Sequence, residues 1–594
     1  MRAAQANRLQ RGGRIDRSRP LAFSLDGKAY EGFAGDTLAS ALLANGVSVV
    51  GRSFKLRRPR GIVGSGAEEP NAIMQIGEGA AAQPNLAATQ VELHDGLIAR
   101  TTKGWPSVHF DIGAVNDVFG RVLGAGFYYK TFMYPRSWWK YYERAIRRSS
   151  GYGRAPAAAD PATYEHMNAH CDVLVAGGGP AGLMAALVAA RSGARVMLAD
   201  EQNEFGGRLL AGTAGIDGAP AAEWAGGVVA ELRERADCTV LPRSTVFGYH
   251  DHNFLTIAQR CTHPPDRLGE GVRERLWRVR SKRVVLAQGS FERPLVFCNN
   301  DRPGVMLASA VSTYINRYAV LPGRRAVVFT NNDSAYRAAI DLAKAGAEVA
   351  AIVDSRRGGG GELSRRAQAR GIPVLAGHVV SDVAGRHRVR SARIARWHGD
   401  SWEYVEHTMR IDCDLVVVSG GWSPAVHLHS QAGGRLSWDD ARLCFVPAQA
   451  QQANVSAGAG NGQWTLEACL ADGLRAGTAA VSALGLETPA VKPPAVSGVG
   501  ENPIEALWRV PAAKNADRCP KQFIDFQNDT TVADIRLAVR EGYRNAEHVK
   551  RYTALGFGTE QGKLNNINGM AVLADMLGKA IPEVGTTTFR PAYP

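Results

Sequence analysis

The sequence predicts an α/β fold, and two strand–helix–strand patterns carry that prediction. In residues 172–200 an apolar strand is followed by a glycine-rich turn, an alanine-rich helix and a second strand. Residues 324–354 repeat the same order of elements. Such βαβ units build parallel sheets covered by helices. Because 594 residues are more than one hydrophobic core can use, several domains are expected around this α/β body.

The turn of the first unit has the glycine spacing of a dinucleotide site. It follows the strand Val173–Ala176 and leads into a helix predicted from Pro180 to Ser192. Gly177 would form the tight turn, Gly179 would let the backbone approach a pyrophosphate, and Gly182 would let the helix pack closely on the strand. The helix N-terminus would then face the phosphates.

The second strand of this unit ends in the acidic residue that such a site needs. Asp200 lies 18 residues beyond the last glycine of the turn, and Glu201 follows it. A carboxylate at this position can accept hydrogen bonds from the ribose hydroxyls of an adenine dinucleotide. The residues are compatible with either NAD or FAD and leave that choice open.

The second unit lacks the glycines of the first. Its turn reads Thr-Asn-Asn-Asp-Ser-Ala over residues 330–335, and Asp354 ends its second strand. Asp333 would place a negative charge where a pyrophosphate should lie. We therefore predict a Rossmann-like domain that does not hold NAD(P)H as a hydride donor.

The N-terminal segment has the pattern of a small β domain. Leu21–Leu25 alternates in polarity, residues 26–27 form an Asp-Gly turn into a second strand, and a helix is predicted over 38–45. This segment resembles the β-grasp domain in which plant-type ferredoxins hold a [2Fe-2S] cluster. Cluster ligation needs four thiolates, but residues 64–66 are Gly-Ser-Gly and the first cysteine is Cys171. The prediction is a β-grasp domain without a cluster.

A basic run follows the predicted helix. Residues 52–60 carry five positive charges. We interpret them as a solvated loop, with a clasp for a flavin phosphate at a subunit boundary as the alternative.

An aromatic-rich segment precedes the first βαβ unit. Residues 127–142 hold nine aromatic side chains in sixteen positions. One short helix cannot bury so many within its own domain, so we expect packing against another domain or a partner chain. Residues 150–163, rich in Ala, Pro and Gly, are predicted to be a linker.

Composition excludes several function classes. The net charge is +14, but arginine is spread over the whole chain and no nucleic-acid-binding module is evident, so no nucleic-acid partner is predicted. The eight cysteines are scattered and form no CxxC pair, which argues against a disulfide framework and against a clustered metal site. No apolar run is long enough to span a membrane and no signal peptide is evident, so a cytoplasmic protein is expected.

Later segments resemble flavoproteins that contain two dinucleotide-binding domains. Residues 206–209 correspond to the stretch that passes under the cofactor in those proteins. The strand that begins at Arg283 and leads to Gly289 resembles their strand that re-enters the first nucleotide domain. Residues 455–472, which include Gly458, resemble the returning strand and helix that close over the dinucleotide.

The last ninety residues resemble a small ferredoxin-type helical module. Where cluster-bearing versions carry cysteines, this chain has Asp525, Gln527, Glu560 and Asn565. A helical domain without a cluster is therefore predicted. The expected domains are 1–110 (β-grasp), 111–165 (aromatic-rich connector), 166–320 with 410–485 (dinucleotide-binding), 321–409 (degenerate Rossmann-like) and 505–594 (small helical domain).

The order of these parts resembles the α subunit of heterotetrameric sarcosine oxidase. The resemblance covers essentially the whole chain and is carried by runs such as residues 35–46, 127–133, 523–529 and 550–553. It implies a tightly bound NAD in this chain, with FAD as the alternative. It also implies an FMN shared at the interface with the β subunit, and β, γ and δ subunits as partners.

The resemblance also implies the cofactor contacts, and it implies no catalytic residue in this chain. Together with the glycine motif, the predicted cofactor-binding residues are Gly177, Gly179, Pro180, Ala181, Gly182, Asp200, Glu201, Gln202, Gly207, Arg208, Val246, Gly289, Gly458, Ala459, Trp464 and Leu466.

Three alternatives stay open on the sequence. The first is the corresponding subunit of an opine, N-methylglutamate or D-hydroxyproline dehydrogenase, the second is a self-sufficient FAD/NAD(P)H oxidoreductase, and the third is a non-enzymatic scaffold. The folate-binding domain that usually ends such α subunits would begin near Pro594, so folate coupling by this polypeptide is not expected.

Overall fold

A mixed five-stranded sheet and one helix form the N-terminal domain. The computed structural model describes residues 5–120, 123–261, 271–399, 407–498, 500, 502–512, 519–587 and 589–591. The helix Leu38–Ala44 is buried along its whole length, and the Thr37 hydroxyl caps it by accepting a hydrogen bond from the Ser40 amide. The sheet order is Lys28–Ala34, Asp16–Leu25, Leu97–Thr101, Ile73–Ile76 and Gln83–Ala87. One helix packed on such a sheet is the predicted β-grasp arrangement.

A seven-stranded sheet forms the dinucleotide domain. Its order is Cys238–Leu241, Val196–Ala199, Thr163–Ala176, Val272–Leu286, Phe254–Arg260 and Ser244–His250, with Asn454–Ser456 paired to Val272–Leu286. Two of its strands are longer than predicted, because Thr163–Ala176 and Val272–Leu286 pair in parallel well beyond the apolar residues that predicted them. Only the inner ends of these strands lie in the hydrophobic core, so their outer ends lack a continuous apolar signal.

Helices Pro180–Arg191, Ala221–Glu234 and Leu466–Ser482 cover this sheet. Helix Leu466–Ser482 lies very close to helix Pro180–Arg191. A Cβ added to Gly473 would lie 2.4 Å from the Ala181 carbonyl oxygen, and one on Gly477 would lie 2.9 Å from that of Ala185. The two glycines therefore let the backbones of the helices meet, which brings their N-termini together.

The second Rossmann-like domain is larger than predicted. Its parallel sheet has the order Val305–Leu307, Leu415–Ser419, Arg325–Thr330, Glu348–Asp354 and Val374–Ala376. The predicted boundaries of 321–409 are therefore wrong, since Val305–Leu307 and Leu415–Ser419 belong to this sheet. A fully buried apolar strand has the same residue pattern whether it belongs to the first or to the second Rossmann-like sheet. The sequence therefore could not show which sheet these two strands join.

Further elements complete this domain. They are helices Ala308–Asn316, Ser334–Lys344 and Gly361–Gln368, and an antiparallel sheet of His378–Gly385, Val389–Arg396 and His407–Asp412. The predicted strand–helix–strand order over 324–354 is confirmed.

The C-terminal domain is mostly helical, as predicted. It contains strands Phe523–Asp525 and Thr530–Thr531, helices Val532–Arg540, Ala546–Thr553 and Asn566–Leu577, and the 3-10 turn Ile581–Val584. Smaller elements elsewhere are helices Val115–Val118, Phe127–Thr131, Trp139–Ser150 and His427–Gln431, and strand pairs Gly51–Arg52 with Pro59–Arg60, Gly215–Ile216 with Ala219–Pro220, Ser290–Glu292 with Trp422–Pro424, and Leu436–Asp439 with Cys444–Pro447. Within the described ranges, no helix has both the length and the apolar character to cross a bilayer.

The basic run 52–60 is not a solvated loop, and that interpretation is wrong. Arg58 and Arg60 are buried, and both form ion pairs with Asp301, with Arg58 Nε 2.7 Å from its Oδ2. Arg60 also contacts Asp529, at 2.5 Å. Burial would raise the pKa of Asp301, but the two guanidinium groups lower it below its ordinary value. We call these four residues the ion network; it joins the N-terminal domain, the central body and the C-terminal domain.

The alternative of a phosphate clasp also fails for Arg52, Arg58 and Arg60. Arg58 and Arg60 already face carboxylates, and Arg52 donates to the carbonyl oxygens of Val108 and His109. The sequence could not show this, because the paired aspartates lie more than 200 positions away in the chain.

Removing Asp301 is expected to destabilise the protein strongly. The Asp301→Ala variant would leave Arg58 and Arg60 buried with one carboxylate fewer, at a cost of about 3–5 kcal/mol in the free energy of unfolding. Urea unfolding followed by fluorescence measures this cost. Glu362→Ala is the control, because its pairs with Arg365 and Arg366 are exposed to solvent and contribute little to stability. If both variants lowered the free energy of unfolding by the same small amount, the stabilising role of the ion network would be contradicted.

Candidate functional site

The glycine turn of the first unit has the geometry predicted for it. Gly177 has a φ of 105°, and a Cβ added there would lie 2.3 Å from the Ala287 carbonyl oxygen. A Cβ on Gly182 would lie 1.8 Å from the Gly177 carbonyl oxygen. A Cβ on Gly179 would meet nothing within 4 Å. Gly177 and Gly182 are thus required for packing, whereas Gly179 borders open space where a ligand could approach.

The helix that follows begins without a side-chain cap. Gly179 is its N-cap residue and Pro180 is its first residue, and among the residues that the structure describes no side chain caps its first turn. The amide groups of Ala181 and Gly182 therefore lack the capping partner that helix N-termini commonly have. Uncapped amides beside an open glycine suit the oxygens of a pyrophosphate.

The two acidic residues at the end of the second strand differ in their contacts. Asp200 accepts hydrogen bonds from the Gly178 amide, at 2.6 Å, and from the Gln202 amide, at 2.8 Å. Within the described residues, the Glu201 carboxylate accepts no hydrogen bond. Burial, together with the charges of Asp200 and Glu68, raises the pKa of Glu201 to about 7. Asp200 thus holds the turn in place, and Glu201 offers free acceptors for ribose hydroxyls.

Chain segments distant in sequence complete the cradle. Gly207 lies against Gly179, since its added Cβ would be 3.2 Å from the Gly179 Cα. Gly458 lies against Ala181, since a Cβ added to Gly458 would be 2.6 Å from the Ala181 Cβ. Gly289 borders the loop that contains Gly458, and its own added Cβ would meet nothing within 4 Å. The structure thus brings together, at the start of helix Pro180–Arg191, the group of residues that we call the cradle: Gly177, Gly179, Pro180, Ala181, Gly182, Asp200, Gly207, Gly289 and Gly458.

The remaining predicted cofactor-binding residues lie near the cradle, but most of their described contacts are with other parts of the chain. The Gln202 side-chain oxygen accepts a hydrogen bond from Arg317, at 2.6 Å, and the Arg208 guanidinium lies 4.2 Å from the centre of the Trp422 ring. Val246 is buried in strand Ser244–His250, whose first amide donates to the Asp200 carbonyl oxygen. Ala459 lies in the turn Gly458–Asn461, and Trp464 and Leu466 lie at the start of helix Leu466–Ser482.

Asp472 is a residue that the sequence analysis missed. Its carboxylate accepts hydrogen bonds from the Gly458 amide, at 2.9 Å, and from the Asn461 side chain, at 3.1 Å. Arg475 pairs with it at 2.6 Å. Asp472 therefore holds the returning loop beside the cradle. A buried acid in a helix with many apolar residues was the available signal, but its partners could not be identified without the fold.

The corresponding turn of the second unit is filled by the chain itself. Asp333 accepts hydrogen bonds from Arg356 and from the Asn502 amide, both at 2.7 Å. Arg356 also donates to the Pro503 carbonyl oxygen, and Asn331 donates to that of Glu505. Segment 502–505 thus lies where a dinucleotide would have to enter. This contact gives a physical basis for the prediction that the second unit holds no NAD(P)H.

The loop that resembles a ferredoxin cluster loop is also filled. Glu69 is buried and accepts hydrogen bonds from the amides of Val63 and Gly64 through one oxygen and from those of Asn71 and Ala72 through the other. Backbone amides arranged in this way bind anions, including iron–sulfur clusters. Here a side-chain carboxylate takes that place. In the described residues, no group of three or more His, Cys, Asp and Glu side chains could hold a metal ion.

Three protein-family models match parts of the chain. The model described as sarcosine oxidase A3 domain matches residues 519–594, the 2Fe-2S iron-sulfur cluster binding domain matches 18–104, and the FAD dependent oxidoreductase matches 172–267. These matches agree with the predicted β-grasp, dinucleotide and C-terminal domains.

Curated relatives match almost the whole chain. It is 45% identical over 99% of its length to the sarcosine oxidase α subunit of Rhizobium meliloti (strain 1021), and 39% identical over 98% to that of Corynebacterium sp. (strain U-96). The chain spans 58% and 56% of those relatives, respectively. An opine oxidase subunit of Agrobacterium tumefaciens (strain Ach5) is 25% identical over 70% of the chain and is covered to 89% of its own length.

A solved structure supports the fold. L-proline dehydrogenase from P. horikoshii matches with a TM-score of 0.66 and 19% identity, covering 97% of this chain and 96% of its own. At that identity the match shows the fold alone. The curated relatives go further: the chain is homologous along nearly its whole length to sarcosine oxidase α subunits, which confirms the resemblance indicated by the sequence motifs.

Closing the open space at Gly179 is expected to remove the bound dinucleotide without unfolding the protein. Gly179 has a φ of −76°, so Gly179→Ala fits the backbone, but the new methyl group would lie where the pyrophosphate must approach. We expect roughly tenfold less dinucleotide to copurify, measured by chromatography of the denatured extract.

Gly226→Ala is the matched control for this variant. Gly226 lies in helix Ala221–Glu234 and an added Cβ there meets nothing within 4 Å, so bound dinucleotide should be unchanged. Full retention of dinucleotide by Gly179→Ala would show that the cradle has been assigned incorrectly.

Proposed function

We propose that this chain is the dinucleotide-binding α-type subunit of a sarcosine oxidase-like complex, with NAD in the cradle. One observation carries this proposal: the cradle at Gly177–Gly182 is open, whereas the second Rossmann-like turn and the cluster-type loop are filled by the chain's own side chains. Because only the cradle is open among these three sites, we do not expect the chain to pass electrons between several cofactors of its own. Its role would be to hold the dinucleotide within a larger assembly.

The complex would oxidise sarcosine to glycine. Dioxygen would be reduced to hydrogen peroxide, and the methyl carbon would leave as a one-carbon unit. The flavin chemistry is assigned to the β subunit, with an FMN at its boundary with this chain. The residues of this chain would hold the dinucleotide, through the uncapped helix start and Glu201, and shape the contact surface with the β subunit.

Exposed aromatic and apolar side chains in the connector support an interaction with a partner chain. Tyr134 is 87% exposed, Tyr141 68% and Trp138 56%. Exposed hydrophobic residues from the preceding stretch add to them: Trp105, Phe110, Ile112, Val115, Val118 and Phe119. Concentrated exposure of large hydrophobic side chains marks an interaction surface. We call residues 105–142 the aromatic segment, and it is the surface that a β subunit would cover.

Two other functions are weaker candidates. Homology to the opine oxidase subunit, at 25% identity, favours a related dehydrogenase that acts on another secondary amine. A self-sufficient FAD/NAD(P)H oxidoreductase would need a second nucleotide site, but Asp333, Arg356 and segment 502–505 occupy the turn where NAD(P)H would bind.

Release of the bound cofactor tests the proposal directly. The chain, purified together with its partner subunits and then denatured, is expected to release about one NAD per chain. Chromatography and mass spectrometry of the supernatant identify the nucleotide. FAD released from this chain, or oxidation of NADH by the chain alone, would instead favour the self-sufficient oxidoreductase.

Polar substitution in the aromatic segment is expected to weaken the assembly of the complex. Trp138→Ser combined with Tyr141→Ser removes two exposed aromatic side chains, and such anchors contribute about 2 kcal/mol or more each to an interface. The unfolding temperature of the isolated chain should not change, because both side chains are exposed. Light scattering after size-exclusion chromatography measures the association.

Tyr164→Ser serves as the control, since Tyr164 is 49% exposed and lies outside the aromatic segment. Association that is equally strong in the double variant and in this control would rule out the segment as the interface between the chains.

A further inference from the structure

The C-terminal domain contains a buried group of oxygen-bearing side chains. It consists of Asp525, Gln527, Glu560, Asn565 and Asn566. All five are buried, with exposed fractions between 0% and 5%. We call these five residues the oxygen cluster.

Hydrogen bonds and close contacts show that these residues gather around one loop. The Gly556 amide donates to Asp525 Oδ2 at 2.8 Å. A Cβ added to Gly556 would lie 2.5 Å from Asn566 Oδ1 and 3.5 Å from Asn565 Oδ1. The Asn565 amide group donates to Glu560 Oε1 at 2.6 Å. Gly556 must therefore remain glycine, because the amide oxygens occupy the space of a side chain.

Gln527 reaches the same loop from the other side. Its side-chain NH₂ group donates to Thr559 Oγ1 at 2.8 Å, directly before Glu560. A Cβ added to Gly558 would lie 1.5 Å from Gln527 Oε1. Loop 556–560 thus contacts both amide and carboxylate members of the oxygen cluster.

Three amide oxygens in the oxygen cluster have no donor. Gln527 Oε1, Asn565 Oδ1 and Asn566 Oδ1 are buried and accept no hydrogen bond from any residue that the structure describes. Each such orphan costs about 1–3 kcal/mol relative to a satisfied group. Three of them beside one short loop, residues 556–560, is unusual for a folded domain and needs an explanation.

The two carboxylates in the oxygen cluster are held by hydrogen bonds and not by an ion pair: Asp525 accepts from Asn528 and Gly556, and Glu560 accepts from Leu564 and Asn565. Among the described side chains, no Lys or Arg nitrogen forms an ion pair with Asp525 or Glu560. The nearby Lys563 donates to the Arg590 carbonyl oxygen, and the Lys550 ammonium lies 5.7 Å from the centre of the Phe557 ring. The oxygen cluster therefore combines two carboxylates that have no ion-pair partner with unused neutral acceptors.

We propose that the oxygen cluster binds one hard divalent cation, Ca²⁺ in preference to Mg²⁺. Carboxylate and amide oxygens are the ligands that Ca²⁺ takes, in variable number and geometry. Mg²⁺ requires near-ideal octahedral geometry and keeps several waters, for which a buried cluster of five side chains is poorly suited. An iron–sulfur cluster does not fit, because these five residues contain no thiolate. A cation would satisfy the three orphan oxygens and balance the negative charge of the two carboxylates.

Calcium titration of the complete complex tests this proposal. The complex is stripped with EDTA, dialysed, and titrated with CaCl₂ or MgCl₂ in a calorimeter, and the unfolding temperature is followed in parallel. We expect one Ca²⁺ per chain, a higher unfolding temperature with Ca²⁺, and an affinity for Mg²⁺ at least about tenfold lower. Absence of Ca²⁺ binding by the wild-type complex at millimolar CaCl₂ would overturn the proposal.

Two variants locate the binding site. Glu560→Gln keeps the shape of the side chain and removes its charge, and it is expected to lower the Ca²⁺ affinity by about tenfold or more. Asp575→Asn makes the same change on the exposed face of helix Asn566–Leu577 and should bind Ca²⁺ like the wild type. Wild-type affinity in Glu560→Gln would overturn the assignment. If that variant does not fold, elemental analysis of the purified wild-type complex decides, with one calcium per chain supporting the site and none refuting it.

Discussion

The buried pairing of Arg58 and Arg60 with Asp301 and Asp529 is the interaction that holds the parts of this protein in register. The two arginines come from the N-terminal domain, Asp301 from the central body and Asp529 from the C-terminal domain. Both guanidinium groups also lie over the Phe523 ring, at 5.2 and 4.6 Å. Because unpaired buried charges are very costly, the three domains cannot separate without exposing or orphaning this network. It fixes the small domains around the body that forms the cradle.

Buried carboxylates also distinguish the first Rossmann turn, which is open, from the second turn and the β-grasp loop, which are filled. At the first Rossmann turn, glycine leaves space and the helix start is uncapped. At the second turn, Asp333 is paired with Arg356 and covered by segment 502–505, and in the β-grasp loop Glu69 accepts four amide hydrogen bonds. Side-chain carboxylates thus occupy positions that would otherwise attract phosphates or clusters. The oxygen cluster of the C-terminal domain differs, because several of its acceptors remain unused.

This distribution of sites fits a division of labour between the chains of a complex. A chain with one open cradle and a segment of exposed aromatic side chains is suited to hold a dinucleotide and to contact a partner. Homology to sarcosine oxidase α subunits along nearly the whole chain agrees with that role.

The sequence by itself determined the local features: the glycine turn with its flanking strand and helix, the second βαβ unit, the β-grasp hairpin and the absence of thiolate ligands. Each of these depends on residues close together in the chain, where backbone sterics and periodicity act directly. Only the tertiary structure decided which sheet the strand Leu415–Ser419 joins, that Arg58 and Arg60 are buried, and that Asp472 holds the returning loop. Those features depend on partners that are far away in the chain, and a buried strand or a charged side chain has the same local pattern whichever distant partner it meets.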